Sequence, residues 1–385
     1  MSRKISIHGE SCLNATKLNE KIKPYQSIWF SDDLKSLIAV DQRFLPHQIK
    51  TVPLSSVEDV RLAIKDMVVR GAPLIGITAA AGLYLACISS APSSASDIKL
   101  KEAAERIKSA RPTAVDLFKI TDQMLMAILQ EKNLSERGNT AFRVLQEMIR
   151  KSRNDCNEIG KNGLKLIQEI FRKKGKTVNI LTHCNAGQFA TLGIGTATAP
   201  IYLAHQQKIP LHVWVDETRP RNQGANLTML ELQQQGVDCT LICDNTGGCL
   251  MQKGLVDIVF VGADRISVQG DAANKIGTYL KALSAWDNKI PFYVAAPSSS
   301  IDFSIKDGLK EIPIEERNPN EVKYIRGWNG KAYQDLLICP KNSKALNIGF
   351  DVTPARLITG IITERGICKA SEEGLRKMYP EIMPI

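Results

Sequence analysis

No run of about 18 apolar residues occurs anywhere in this sequence of 385 residues, which excludes a helix that spans a membrane. The opening MSRKISIHGESC has basic residues with no apolar core behind them, so it does not read as a secretory signal. Nine cysteines, an odd number, include no CxxC pair; this argues against a disulfide framework or a zinc site and for reduced thiols in a cytoplasmic protein. Aromatic residues make up only 6%, and neither an RNP-like aromatic motif nor a Cys/His finger is present. The formal charge of +10 is spread along the chain, densest in FRKKGK at 171–176, which reads as a solvated helix end. Nucleic acid is thereby disfavoured, and an anionic small molecule suits the basic balance better. No GxGxxG directly follows a strand-like run, which disfavours a nicotinamide-dependent dehydrogenase. GIGTA at 193–197 comes too late after its run and reads as close helix packing.

What is present is enough apolar residue, 44%, for a full core, and a length that suggests two domains. The first half is helical in pattern. SSVEDVRLAIKDMVVR opens with a capping box, Ser55 with Glu58, and has apolar residues at helical spacing. TAAAGLYLAC, KLKEAAERIKSA, the stretch 114–130 and the stretch 140–174, broken at Gly160 and Gly163, complete the helical series. From Lys176 the rhythm changes. TVNILTH, LHVWVDE, DCTLICD, VDIVFVGA and PFYVAAP are short runs rich in β-branched residues, separated by helix-length segments, the signature of a parallel sheet covered on both faces. The expected architecture is α/β, with a Rossmann-like parallel sheet in the C-terminal domain and a smaller, mainly helical N-terminal domain. The expected divisions are 1–27 as an extension, 28–160 as the helical domain and 161–385 as the catalytic domain.

In open α/β sheets ligands bind beyond the carboxyl ends of the strands. The five runs are followed, in order, by His183, Cys184 and Asn185; by Asp216, Glu217, Arg219, Arg221 and Gln223; by Asp244 and Asn245; by Asp264 and Arg265, with Asn274 and Lys275 beyond; and by Pro297 to Ser300. Each residue has a plain structural reading too: a buried thiol for Cys184, a helix cap for Asp264 and for Asn274. ETRPRNQG suits a rigid anion-binding surface better than a generic loop. VRGAPLIG and SARPTAVDL each set an arginine, Arg70 or Arg111, at a helix boundary, where its fork can meet a phosphate, helped at Arg70 by the free amide of Gly71.

From about Ile28 onward the chain resembles the methylthioribose-1-phosphate isomerase family of methionine salvage. The resemblance rests on VDQRFLP, VRGAPLIG, RPTAV, LTHCNAG, DETRPRNQGANLT, DNTGG, VGADRI, GDAANKIGTY, PFYVAAPSSSIDF, IPIEER and FDVTPARLITGIITERG. That fold family also includes regulatory subunits of a translation-initiation exchange factor. The resemblance implies a catalytic pair, Cys184 and Asp264, and a substrate cradle of Arg70, Gly71, Ala72, Arg111, Gln223, Asn274 and Lys275. It further implies a homodimer with no metal and no cofactor, whose partner is a small phosphorylated sugar. Cys249, in DNTGGCLM, adds a second thiol near these motifs.

The implied reaction converts an aldose 1-phosphate into a ketose 1-phosphate. The C1 phosphate blocks a free aldehyde, so the ring must open before hydrogen moves from C2 to C1. A carboxylate with its pKa raised at a dry strand end can serve as acid and base. A cysteine at a strand-to-helix turn is expected to feel the positive helix end and supply thiolate. Alternatives of the same chemistry are 5-deoxyribose 1-phosphate, which a hydrophobic pocket discriminates weakly, and ribose 1,5-bisphosphate, which requires a second cationic clamp. A non-catalytic binding protein is a different class, and it has no need to combine Cys184, Asp264 and the Asn274–Lys275 pair.

Overall fold

The computed structural model describes residues 26–89, 95–111 and 115–382, so all but the last two residues of the N-terminal extension lie outside it. Three antiparallel strands come first, β1 (Ile28–Phe30), β2 (Leu37–Val40) and β3 (Thr51–Leu54), an addition to the helical pattern of this half. Helices α1 (Val57–Lys65), α2 (Ala72–Ile88), α3 (Asp97–Lys108), α4 (Val115–Gln130) and α5 (Arg137–Lys174) follow. The cap of α1 lies one residue later than the sequence pattern suggests: the Ser56 hydroxyl accepts from the Asp59 amide at 3.1 Å. Helix α2 contains no charged residue and is buried on nearly every face, at the centre of a core with Leu100, Ile107, Leu117, Met124 and Leu145.

Helix α5 is unbroken through Gly160 and Gly163, contrary to the expected interruption. Both glycines sit against helix α6 (Ala199–Gln206), and a Cβ on Gly163 would lie 3.0 Å from Cβ of Pro200 and closer still to its ring. They permit close helix packing instead of ending the helix, and the tertiary contact outweighs their low propensity. The helix stops where FRKKGK predicts, with Gly175 left-handed (φ 62°) and three basic residues in the last turn.

The five expected runs form β4 (Val178–Thr182), β5 (Leu211–Asp216), β6 (Cys239–Ile242), β7 (Ile258–Val261) and β10 (Phe292–Ala295). With β15 (Gly360–Thr363) they make a parallel sheet, edged by antiparallel β16 (Gly366–Cys368), in the order β16-β15-β10-β7-β4-β5-β6. The first three strands build outward on one side, then the chain crosses back and builds outward on the other. Strand order therefore reverses between β4 and β7, the doubly wound arrangement of a Rossmann-like sheet. A second sheet, in the order β11-β8-β9-β14, joins β8 (Arg265–Ser267), β9 (Ala272–Lys275), β11 (Ile301–Asp302) and β14 (Phe350–Thr353). Helices α7 (Met229–Gln234), α8 (Thr246–Gln252) and α9 (Thr278–Asp287) complete the frame around the site. A hairpin, β12 (Tyr324–Trp328) and β13 (Tyr333–Leu337), reaches the helical half. There the Tyr333 hydroxyl lies 2.9 and 2.8 Å from the carbonyl oxygens of Phe44 and Leu45, and His47 stacks on Trp328.

Candidate active site

The carboxyl ends of β4 and β7 flank the point of reversal, and they carry Cys184 and Asp264. Cys184 is left-handed, with φ 65°, a conformation that non-glycine residues adopt only when their surroundings enforce it. Two threonines enforce it: the Cys184 amide donates to Thr218 Oγ1 at 2.9 Å, and its carbonyl accepts from Thr228 Oγ1 at 2.6 Å. Asp244 holds the Thr218 loop in turn, accepting from the amides of Thr218 and Arg219 at 2.7 Å each. Asp264 is fixed through its amide, which donates to the Ala273 carbonyl at 2.9 Å and ties it beside β9. It leads into a strand and caps no helix, and Asn274 and Lys275 likewise lie in β9.

All nine residues of the implied site line one cavity: Cys184, Asp264, Arg70, Gly71, Ala72, Arg111, Gln223, Asn274 and Lys275. The cationic side chains are buried (Arg70 7% exposed, Arg111 6%, Lys275 5%). Gly71 has φ 89°, and a Cβ there would lie 2.5 Å from the Ala190 backbone, so only glycine lets the start of α2 approach the β4 loop this closely. Arg70 donates to the Asn185 carbonyl at 3.3 Å and to the Asn185 side-chain oxygen. Asn185 is held in place by Glu231, which is wholly buried and takes hydrogen bonds from Asn185 Nδ2 (3.0 Å), the amides of Gln188 (3.0 Å) and Phe189 (2.9 Å), and the Tyr202 hydroxyl (3.0 Å). Arg111 pairs with Glu315 at 3.0 Å, and Glu315 also receives Arg317 at 2.6 Å. Lys275 Nζ lies over the Phe350 ring, 5.4 Å from its centre. Arg70 Nε, Arg111 Nε and Gln223 Oε1 are buried without a hydrogen-bond partner. Such groups are costly to leave unmet, and a polar ligand in the cavity would meet them.

Burial pushes the Asp264 carboxyl up, against the pull of Arg111, Lys275 and Arg70, in the direction that the acid/base role requires. Burial pushes the Cys184 thiol up as well, with Arg70 and Lys275 opposing. This corrects the expectation of a resident thiolate. Residues 184–198 form irregular chain and the next helix begins only at Ala199, so Cys184 does not sit at the start of a helix that follows its strand.

Several residues differ from the sequence reading. Arg219 donates to the carbonyls of Pro220 and Val322, and Arg221 pairs with Glu321 at 2.8 Å, so Gln223 alone of that loop reaches the cavity. Cys249 is exposed on α8 and does not line the cavity. Asn185, one of the polar residues after the first strand run, lines it as well, as do Arg317, Met67 and Phe350, which the sequence reading does not name; Arg317 closes the IPIEER motif, the one signal that points to it. Among the described residues, one cluster has the ligand types for a metal ion, His183 with Asp216 and Asp244. Lys281 already lies 3.2 Å from the Asp216 carboxylate and supplies the positive charge there.

The sequence matches the Initiation factor 2 subunit family over residues 68–370. A methylthioribose-1-phosphate isomerase of Desulfatibacillum aliphaticivorans is 51% identical, with 95% of this chain and 100% of that protein aligned. The chain belongs to the initiation factor 2 subunit family, among the methylthioribose-1-phosphate isomerases. The Rhizobium meliloti protein of that name is also 51% identical, over 93% of this chain and 98% of its own. The solved 5-methylthioribose 1-phosphate isomerase of Pyrococcus horikoshii superposes with a TM-score of 0.80 at 36% identity, covering 94% of this chain and 99% of that one. A translation initiation factor eIF-2B delta subunit from A. fulgidus also superposes, at 0.75 and 36% identity, over 92% of this chain and 98% of that one. Equal identity to both means that backbone likeness does not separate enzyme from initiation factor.

Proposed function

We propose that this protein is an aldose–ketose isomerase, an intramolecular oxidoreductase that converts 5-methylthioribose 1-phosphate into 5-methylthioribulose 1-phosphate in methionine salvage. The observation that carries the reading is the meeting of Cys184 and Asp264 at the reversal point of the sheet, in a cavity walled by Arg70, Arg111 and Lys275. Arg70, Lys275 and the amides of Gly71 and Ala72 at the start of α2 hold the phosphate; Arg111, Gln223 and Asn274 orient the sugar. Asp264, whose protonated form burial favours, gives its proton to the ring oxygen as the bond from that oxygen to C1 breaks. The hydrogen on C2 then moves with its electron pair to C1, and the C2 hydroxyl returns a proton to Asp264 as the ketone forms. The Cys184 thiol, held protonated by burial, donates a hydrogen bond to the oxygen on C2. No metal or cofactor enters this sequence.

The test is to incubate the protein with methylthioribose 1-phosphate, the 5-deoxy analogue and ribose 1,5-bisphosphate and to follow the ketose by NMR. Turnover of the first supports the reading, and turnover of none favours a binding protein. With deuterium at C2, full retention at C1 fits the hydride route, whereas loss to solvent replaces it with proton abstraction by a thiolate.

The same proposal takes residues 28–160 and 161–385 as the two domains. Two large apolar cores support this, one holding residues from Ile28 to Met148 with Leu192 and another beginning at Ile159, although α5 runs through the boundary and a small cluster of Val40, Leu45, Phe189 and Leu227 joins the halves. A cytoplasmic homodimer completes it. The eight cysteines among the described residues are all free, which suits a reducing compartment, and the exposed Leu241 and Trp286 offer apolar surface to a second copy, which sedimentation would detect.

A further inference from the structure

We propose that His183 is a positioning residue of the reactive centre, an imidazole protonated on both ring nitrogens that staples the Cys184 turn to the strand carrying Lys275. The residue precedes Cys184 in the chain, and its side chain is fully buried. Nδ1 lies 2.8 Å from the Asp216 carboxylate at the end of β5, and Nε2 lies 2.8 Å from the carbonyl of Ile276, directly after Lys275. A carbonyl oxygen only accepts, and an Asp216 carboxylate beside the Lys281 ammonium accepts as well. Only a ring with two N–H groups satisfies both contacts.

Charge counting in the cluster agrees. The titratable groups facing the ring are Asp216 from β5, Asp244 beyond β6 (3.9 Å from Nδ1), Lys281 from α9 and Asp351 from β14. Asp351 is occupied with the amides of Gly277 and Tyr279, at 2.7 and 3.1 Å, and so fixes the turn that carries the Ile276 carbonyl. Asp216, Asp244 and Asp351 then face Lys281 and His183, three carboxylates against two cationic groups, so a positive charge on the ring is matched in a place where an unpaired charge is expensive. Gly277 shows how closely the turn is set on the ring: a Cβ there would be 3.1 Å from His183 Cε1. The imidazole thus fixes the spacing between the thiol and the ammonium group on opposite walls of the cavity, and it adds a positive charge behind Cys184.

This deepens the isomerase reading, and its first two tests need no substrate. In the full chain labelled with ¹⁵N-histidine, NMR at neutral pH is expected to show a proton on both ring nitrogens of His183. A ring with one bare nitrogen overturns the proposal. In His183→Gln, alkylation of Cys184 by iodoacetamide, read by mass spectrometry of its own peptide, is expected to move to higher pH. With substrate, kcat of that variant is expected to fall about a hundredfold with KM changed by less than about threefold. An unchanged alkylation profile in a folded variant overturns the proposal, as does stoichiometric zinc binding by the native chain that His183→Gln abolishes. If the variant does not fold, the spectrum of the unsubstituted protein decides alone. Activity lost altogether in the native chain, with the NMR result intact, would count against the isomerase reading and leave the staple standing.

Discussion

The two halves of the molecule contribute to the cavity in different ways. The sheet half presents the two proposed reacting groups on short side chains whose own backbones are clamped: Cys184 between two threonines, Asp264 through its amide to β9. The helical half presents long ones across the boundary, with Arg70 resting on Asn185 and Arg111 on Glu315. Bond-making chemistry tolerates little misplacement, and short side chains on braced strand ends supply that accuracy. Attraction between an anion and a guanidinium fades slowly with distance, so charge can be delivered on a long arm from a separate core. On this comparison the sheet half governs turnover and shares binding through Lys275, Gln223 and Asn274, whereas the helical half contributes to binding alone.

The largest effect tests the first part. Asp264→Asn keeps the shape and removes the proton, and kcat is expected to fall about a thousandfold, close to 4 kcal/mol, with KM little changed. Cys184→Ser is expected to follow in the same direction by a smaller factor. Arg70→Met tests the second part. Loss of a charged hydrogen-bonding group from the phosphate cradle is expected to raise KM about a hundredfold, near 3 kcal/mol in kcat/KM, with kcat within about fivefold. Steady-state kinetics on both variants check the split. A kcat loss in Arg70→Met as large as that in Asp264→Asn would break the comparison.

The sheet half was the more legible in sequence, and the physics explains why. A run such as VDIVFVGADR declares a buried strand and then shows polar residues at its end, so the rule of strand ends finds Cys184 and Asp264 without knowledge of a family. Arg70 and Arg111 have no such marker. A helix-terminal arginine is equally at home on a surface, so the pattern offers a phosphate-meeting role beside a plain structural one, and the resemblance favours the first. Asn274 and Lys275 read as a helix cap because local pattern is blind to β14, whose pairing draws them into a strand. Gly160 and Gly163 read as breaks because the helix that needs their bareness lies some forty residues further along. Arg317 depends on Glu315 and a cavity wall, a tertiary fact with no local trace.

Acid titration sharpens the contrast within the helical half. Burial pushes Asp116, in the first turn of α4, up to about 6 from 3.8, outweighing Ser299 and Lys119. Its raised value means that the folded chain binds this proton more tightly than the unfolded one. Its contribution is therefore full below about pH 4 and is lost as pH rises toward 6, a swing of about 3 kcal/mol. Asp116→Asn is expected to remove that slope and to unfold at higher temperature than the native chain at neutral pH. Calorimetry at several pH values checks it, and an unchanged slope would mean that water or a ligand reaches the carboxylate.

The smallest effect is the control for separateness. Ser56 caps α1, and its hydroxyl takes the Asp59 amide at 3.1 Å on a surface that the cavity does not share. Ser56→Ala leaves that amide to water and is expected to cost about 1 kcal/mol of stability. The helical half adjoins the sheet half along α5, so a loosened α1 could in principle reach the arginines and raise KM. The core around α2 argues otherwise: that helix is buried on nearly every face, and such a core gives way cooperatively, not by small displacements. The variant is therefore expected to lower the unfolding midpoint while kcat and KM stay within about twofold. A KM that climbs with the loss of this cap would show that the cationic arms depend on the whole helical core, and the division of labour between the halves would have to be redrawn.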